Sequence, residues 1–207
     1  MAAFLGNLRN TIILGVVLAI LMLIAFAQLS PHHFNDRTYW EAVFRWMHVF
    51  FGILWIGLLY YFNFVQTRKM PEIPAELRPA ITRYIAPEAL FWFRYAALMT
   101  VLAGIGVAAL RGKDYAANVF TFGLAGGYDA SKHGYTLMGI GIYLALIMFL
   151  NVWGVIWPNQ KKVLGITPAD DAAKAAAGRI AGMASRINTL LSLPMLTSMA
   201  MYQSLFG

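Results

Sequence analysis

The chain has 207 residues, of which 60% are hydrophobic and 12% are charged, and its mean hydropathy is +0.62. A soluble domain carries about 25% charged residues, so this composition predicts a polytopic membrane protein. The formal net charge of +7 lies in the loops and indicates orientation rather than nucleic-acid binding, and the absence of cysteine excludes disulfides, thiolate metal sites and covalent c-type haem.

Apolar stretches long enough to cross a bilayer as helices, at about 20 residues each, recur along the whole chain. There are five of them, covering residues 11–29, 44–66, 89–110, 135–157 and 187–206. The first is too long for the apolar region of a signal peptide and lacks a cleavage site, so we predict a retained signal anchor. Residues 167–186, with Thr167 as N-cap, predict one further helix on the inner surface. The expected fold is therefore all-α: one integral-membrane domain over residues 1–207, with about five transmembrane helices and one surface helix.

The distribution of Lys and Arg predicts the orientation of these spans. With the N-terminus inside, ten basic residues lie in inner segments and five in outer segments. Because basic residues concentrate in cytoplasmic loops, we expect the N-terminus inside and the C-terminus outside, in a bacterial inner membrane. All four histidines then lie toward the outer face.

His48 lies just inside the second span, on the helix face shared by Gly52, Trp55 and Leu59. An ionisable residue in a membrane helix faces the bundle interior by default and is a functional hypothesis. Three functional interpretations stay open: His48 and His133 as axial ligands of haem b, outer histidines holding copper or zinc, and His48 lining a quinone-sized pocket. A histidine hydrogen-bonded to a neighbouring helix is the structural alternative. The histidine spacing matches no known metal-ligand pattern, so we predict no metal site.

A polar cluster is expected in the inner half of the bundle. Arg94 lies within the third span, and a buried arginine requires carbonyl oxygens, an amide or an anion as partner. Asn63 and Asn151 lie at comparable depth and are the predicted partners. The structural alternative is an interhelical polar contact, in which each hydrogen bond contributes about 0.6 kcal/mol in a membrane.

Small residues repeat every fourth position in the third span, at Thr100, Gly104 and Ala108. Such a stripe lets another helix approach closely, so we predict a helix contact there. The outer loop over residues 111–134 is longer than ordinary connections and is aromatic and glycine-rich. We expect it to form either a folded-back lid or a surface for a partner.

Four stretches carry a resemblance to a known family. They read RWMHVFFGILWIGLLYYF, PEALFWFRY, MFLNVWGVIWPNQKK and SRINTLLSLPML. They resemble the membrane-embedded N-terminal domain of bacterial urate hydroxylase, the urate oxidase N-terminal domain family, over roughly residues 40–205. The pattern of His48, Trp55 and Gly57 is also similar to that of membrane protoporphyrinogen oxidases, a haem b family.

The chain departs from the urate hydroxylase pattern at positions that carry acid–base groups. Phe91, Arg94 and Ala96 stand where the resemblance implies His, Lys and Glu, and Gln203 stands where it implies His. The family's C-terminal cytochrome c domain, which accepts electrons, requires cysteines that this sequence lacks. We therefore do not expect the chain to hydroxylate urate on its own.

Two classes of function follow from these observations. The first is an accessory subunit of a larger redox or energy-converting membrane complex, not an enzyme on its own, that uses the small-residue stripe and the outer loop as contact surfaces. The second is an electron-transfer protein that binds haem b or a quinone at His48. A small-solute transporter is less well supported, because neither paired broken helices nor inverted repeats are visible. The expected partners are the lipid bilayer and other membrane subunits, without nucleic acid.

Overall fold

A computed structural model describes residues 2–127 and 129–206, which form helices, turns and bends without any strand. The helices of eight residues or more in this part of the chain are α1 (Leu8–Leu29), α2 (Arg37–Tyr60), α3 (Ala86–Arg111), α4 (Lys113–Phe120), α5 (His133–Asn151) and α6 (Asp171–Leu205). Segments of π-helix extend α2 (Tyr61–Gln66), precede α3 (Ile81–Ile85) and extend α5 (Val152–Ile156). The predicted all-α helical bundle is confirmed.

Four continuous helical stretches of the described residues are long and apolar enough to cross a membrane. They are Leu8–Leu29, Arg37–Glu72, Arg78–Arg111 and Ala130–Val163. Each contains one of the first four predicted spans and extends it at one or both ends. The predicted fifth span, 187–206, coincides with the C-terminal part of α6 except for its last residue, since α6 ends at Leu205, and α6 is not among the four.

The inner surface helix and the fifth span form one element instead of two. α6 runs without interruption for 35 residues and passes through Pro194. It begins at Asp171, with the side chain of Asp170 accepting a hydrogen bond from the backbone N–H of Ala173, so the prediction of Thr167 as N-cap is wrong. The backbone N–H of Thr167 instead donates to the carbonyl of Lys161, which holds Thr167 in the turn that ends the preceding helix.

The core of the bundle joins α2, α3, α5 and α6. The most extensive contacts are between α2 and α3 and between α5 and α6, both of which are antiparallel neighbours in the chain. Large side chains from three of these helices are almost fully enclosed: Trp55, Leu59, Phe93 and Met148. Glycines permit close approach elsewhere, since a Cβ at Gly141 would lie 2.7 Å from the Ser198 hydroxyl of α6.

The first helix, α1, lies at the edge of this bundle. Ala27 is the one residue of its 22 that is buried. Its second half is held to α2 and the preceding loop by two hydrogen bonds to its backbone, from the Tyr39 hydroxyl to Leu23 (3.4 Å) and from His33 Nδ1 to Ala27 (2.8 Å). Most of its apolar surface is thus available to lipid or to another protein.

The loop over residues 111–134 folds back onto α5 through helix α4. A Cβ at Gly139 would lie 2.4 Å from the carbonyl oxygen of Val119, so α4 and α5 meet where α5 has no side chain. Thr136 donates a hydrogen bond to the carbonyl of Phe122, and the ring of Phe122 stacks on Tyr143 at 4.9 Å. Of the two predicted arrangements for this loop, the folded-back one is present.

Candidate cavity beside His48

A cavity of about 450 Å³ opens between α2, α3, α4, α5 and α6. That volume lies within the range of small-molecule and cofactor sites, about 300–1,000 Å³. Its wall is mainly apolar, with polar groups at few positions. The polar residues that line it are Arg45, His48, Thr100, Arg111, Tyr115, Tyr202 and Gln203.

The imidazole of His48 is anchored in this wall. Its Nδ1 lies 2.8 Å from the backbone carbonyl oxygen of Thr100 on α3. A carbonyl oxygen only accepts hydrogen bonds, so Nδ1 carries the hydrogen and Nε2 of the neutral ring keeps its lone pair. Nε2 has no hydrogen-bond partner among the described residues. The structural alternative for His48 is thus present, and it leaves one ring nitrogen available to a ligand.

Glycine makes room for the imidazole on the facing helix. A Cβ built at Gly104 would lie 3.0 Å from both Cε1 and Nδ1 of His48. Gly52, on the same helix as His48, instead faces the methyl group of Thr100 at 3.8 Å. The stripe of Thr100, Gly104 and Ala108 therefore lines the cavity where α2 and α3 approach each other.

An ion-pair network surrounds the end of the cavity opposite the apolar core. Glu41 accepts hydrogen bonds from Arg111 Nε, at 2.8 Å, and from Arg45 Nη2. Arg45 Nη1 also lies 3.3 Å from the amide oxygen of Gln203, and the Arg111 guanidinium lies 4.8 Å from the ring centre of Tyr115. Burial raises the pKa of the Tyr115 phenol to about 12. The network has two cations for one carboxylate, so this end of the cavity is electropositive.

His133, the other predicted haem ligand, does not belong to this cavity. It is the first residue of α5 and is exposed, and it is not among the residues that line the cavity with His48. The adjacent Gly134 packs against Phe206, where a Cβ would lie 2.7 Å from the phenylalanine Cβ. The cavity thus offers one imidazole rather than two.

The polar residues of the opposite half form two separate groups. Asn63 donates to the Leu59 carbonyl and to the Ser185 hydroxyl, at 2.9 and 2.8 Å. Asn151 donates to the Ala184 carbonyl and to the side-chain oxygen of Asn188, at 2.9 and 2.8 Å. Both amides therefore join α6 to a neighbouring helix.

Arg94 is not held by either asparagine. Its side chain is buried, and its Nε and Nη1 have no hydrogen-bond partner among the described residues. The guanidinium lies over the ring of Trp157, with the central carbon 3.4 Å from the ring centre. The structure thus gives Arg94 an aromatic partner where the sequence analysis expected an amide.

Several cavity residues were not predicted from the sequence. Arg45 and Arg111 were counted only among the five basic residues of the outer segments, and Glu41, Tyr115 and Tyr202 were not singled out. The alternating signs of Glu41 and Arg45 at a spacing of four residues are a local signal of an ion pair. Arg111 is 70 positions away from Glu41, and no local pattern indicates that the two meet.

Comparison with known proteins bears on the second half of the chain. Residues 119–206 match the family model described as urate oxidase N-terminal. This range contains α5 and α6 and leaves His48, Arg94, Glu41 and Arg111 outside the match. No curated protein and no solved structure matches the chain. Over this range the chain is similar to the urate oxidase N-terminal family.

Proposed function

We propose that the protein is a membrane electron-transfer protein that binds haem b in the cavity beside His48. The observation that carries this proposal is the orientation of His48, whose Nδ1–H donates to the Thr100 carbonyl in the wall of an apolar cavity. Metal-ligating histidines commonly donate their second ring N–H to a carbonyl in this way, which fixes the tautomer and raises the basicity of the ligating nitrogen.

The residues of the cavity fit the parts of a haem. The lone pair of His48 Nε2 would ligate the iron, and the apolar wall from α3 and α5 would suit a flat macrocycle. Arg45 and Arg111, at the electropositive end, suit the two carboxylates that haem b carries, because guanidinium groups bind carboxylates through charge-assisted hydrogen bonds. His133 has no role as second ligand in this proposal.

Each residue then has a definable role. Haem b supplies one-electron chemistry when it is bound. Thr100 holds the His48 ring in one tautomer, and Gly104 lets the ring lie close to α3. Glu41 fixes the orientation of the two arginines, and the apolar wall excludes water, which lowers the local dielectric and raises the sensitivity of the reduction potential to nearby charge.

A reduced-minus-oxidised optical spectrum of the protein purified from native membranes tests the proposal. We expect a haem b band in the wild type, its loss in His48→Ala, and its retention in His133→Ala. If the wild type instead contains a quinone and no haem, and His48→Ala releases that quinone, the ligand of the cavity is a quinone. A band that persists in His48→Ala contradicts the assignment of His48.

The exposed surface of α1 favours a second role, as a subunit of a larger membrane complex. The helix is apolar along its length and is scarcely covered by its own chain. A photo-crosslinking amino acid at Leu18 of α1 tests this role, with Ile53 of α2 as control, because both side chains are exposed. We expect one discrete protein adduct from position 18 and none from position 53. Adducts with lipid alone at both positions contradict the role.

The orientation belongs to the same proposal. The excess of Lys and Arg in the segments that follow α2 and α5 supports an inner-membrane location with the N-terminus in the cytoplasm. The electropositive end of the His48 cavity then faces the outer leaflet. A membrane-impermeant thiol reagent tests this orientation on single cysteines introduced at Arg83 and at Asp114. We expect labelling from outside intact cells at position 114 and none at position 83.

A further inference from the structure

The buried guanidinium of Arg94 is a cation without a counter-ion in the described chain. The residue is 8% exposed, and neither Nε nor Nη1 makes a hydrogen bond. The nearest carboxylate along its own helix, Glu88, accepts a hydrogen bond from the indole N–H of Trp92 at 2.8 Å. A buried charge without a hydrogen-bonding partner is costly in free energy, particularly at membrane depth. Apart from its stacking on Trp157, the guanidinium thus has unused donors that an anion from outside the chain can satisfy.

A second unpaired donor lies beside the Tyr95 ring, whose centre is 6.0 Å from the central carbon of the Arg94 guanidinium. The indole Nε1 of Trp153 is buried and also makes no hydrogen bond within the described residues. Its ring packs edge-on against Tyr95 at 5.8 Å, and Tyr95 is the neighbour of Arg94 in the chain. Trp153 lies in the π-helical segment Val152–Ile156, one turn before Trp157, on which Arg94 stacks. Single π-helical turns within membrane and soluble helices often mark functional sites.

The charge of the surrounding surface has the sign that attracts an anion. We call the end of the bundle formed by residues 67–88 and 157–163 the basic end; it holds six Lys or Arg residues and three Glu. Lys161 follows Trp157 by four residues on the same helix and is half-buried, so it lies one turn nearer the membrane surface. An anion at Arg94 is therefore approached through a positive field.

The depth of Arg94 matches a lipid headgroup. It lies five residues inside the predicted span that begins at residue 89, which corresponds to about 7–8 Å along a helix. An arginine side chain can extend over that distance toward the headgroup region. Of the aromatic residues next to Arg94 on α3, Phe93 is buried, whereas Trp92 and Tyr95 are 47% and 43% exposed, so part of this helix surface close to Arg94 is open to lipid.

We propose that Arg94, with the indole of Trp153 and the ammonium of Lys161, binds the phosphate group of an anionic phospholipid at the basic end. Basic pockets between transmembrane helices bind such headgroups, and arginine binds phosphate through paired hydrogen bonds. The stacking on Trp157 holds the guanidinium plane in place before the lipid arrives. This site is on the opposite side of the core from His48 and does not depend on the bound haem.

The test compares wild type, Arg94→Gln and Arg83→Gln in nanodiscs of phosphatidylcholine with increasing phosphatidylglycerol, with thermal unfolding as the readout. Arg83 is the matched control because it is an exposed arginine of the same end. We expect phosphatidylglycerol to raise the Tm of the wild type and of Arg83→Gln. In Arg94→Gln, the amount of phosphatidylglycerol that gives half of the rise in Tm should be about tenfold higher or more. Equal responses in all three proteins, or equal losses in both variants, overturn the proposal.

A second variant and a second anion complete the test. In pure phosphatidylcholine, Arg94→Met should be at least as stable as the wild type, because it removes an unpaired buried charge and keeps an apolar side chain. A lower Tm for Arg94→Met in that lipid shows that the chain itself satisfies the guanidinium and overturns the proposal. Inorganic phosphate added to phosphatidylcholine discs distinguishes a lipid phosphate from a free one. If it raises the Tm of the wild type as much as phosphatidylglycerol does, and leaves that of Arg94→Gln unchanged, the site binds a soluble phosphate and the lipid proposal is overturned.

Discussion

Replacing Gly104 by alanine places a methyl group against the imidazole of His48. The new carbon would lie 3.0 Å from both Cε1 and Nδ1, whereas carbon atoms in contact prefer about 3.5–4.0 Å. The ring must therefore retreat by about 0.5 Å, which lengthens its 2.8 Å hydrogen bond to the Thr100 carbonyl toward the limit of a useful bond. The substitution thus acts on the orientation of His48 without altering the residue itself.

The expected effect combines three contributions of known size. Overpacking costs about 1–3 kcal/mol, and the weakened hydrogen bond costs about 0.6 kcal/mol in a membrane. Alanine regains about 0.5–1 kcal/mol over glycine within a helix. We expect a net loss of about 0.6–3 kcal/mol in the free energy of unfolding. Loss of the partner that orients a metal-ligating histidine lowers affinity by about 10–100-fold, so haem content should fall as well.

Thermal unfolding and the haem-to-protein ratio of purified protein measure both effects. Gly57→Ala is the matched control, because a Cβ there meets no atom within 4 Å and the residue lies on the exposed side of α2. The control should retain haem and be as stable as the wild type or slightly more stable. If Gly104→Ala matches Gly57→Ala in both measurements, the reasoning about the His48 ring is refuted.

Three further predictions concern the ion-pair network, the α5–α6 contact and the pH dependence. Glu41→Gln should lower the free energy of unfolding, measured by chemical denaturation, by about 1–3 kcal/mol, because it leaves two partly buried guanidinium groups without a carboxylate. The double variant with Arg111→Met should recover part of that loss. Asn188→Ala should lower the free energy of unfolding by about 1–2 kcal/mol, because fully buried Asn188 donates to the Met148 carbonyl at 3.0 Å and accepts from Asn151. A loss no larger than that of the exposed control Ser204→Ala contradicts this role. Burial raises the pKa of the Tyr115 phenol to about 12, whereas an unfolded tyrosine has a pKa of about 10. The free energy of unfolding should therefore fall as the pH rises from about 10 to about 12, and it should fall less steeply in Tyr115→Phe. Identical pH profiles of the two proteins count against the burial of this phenol.

Hydropathy was sufficient to predict the helical bundle, since it depends on neighbouring residues in the chain. Helix ends were harder to place. Thr167 followed by Pro168 has the composition of a helix start, yet the N–H groups of Ile166 and Thr167 both bond to the Lys161 carbonyl after Gly165, which has a φ of +74°. That turn belongs to the preceding helix, so the next helix begins later, at Asp171.

The site required information that a local pattern does not contain. His48 was found from its rarity in a membrane helix, but its partner is a backbone carbonyl 52 residues away, which no side-chain pattern reveals. Arg94 was recognised as a buried cation, and an amide was expected because amides are polar. The flat guanidinium instead stacks on Trp157, a contact that depends on the rotation of two helices about their axes.

The central claim is that the lone pair of His48 Nε2 is the ligand of a haem iron. Chemical rescue tests it most directly: the optical spectrum of a His48→Gly protein is recorded before and after addition of free imidazole. The account predicts that the haem b band is absent or altered in the variant and returns when imidazole enters the vacated space. A variant whose haem band is unchanged before imidazole is added would show that other residues hold the iron, and would contradict the assignment of His48.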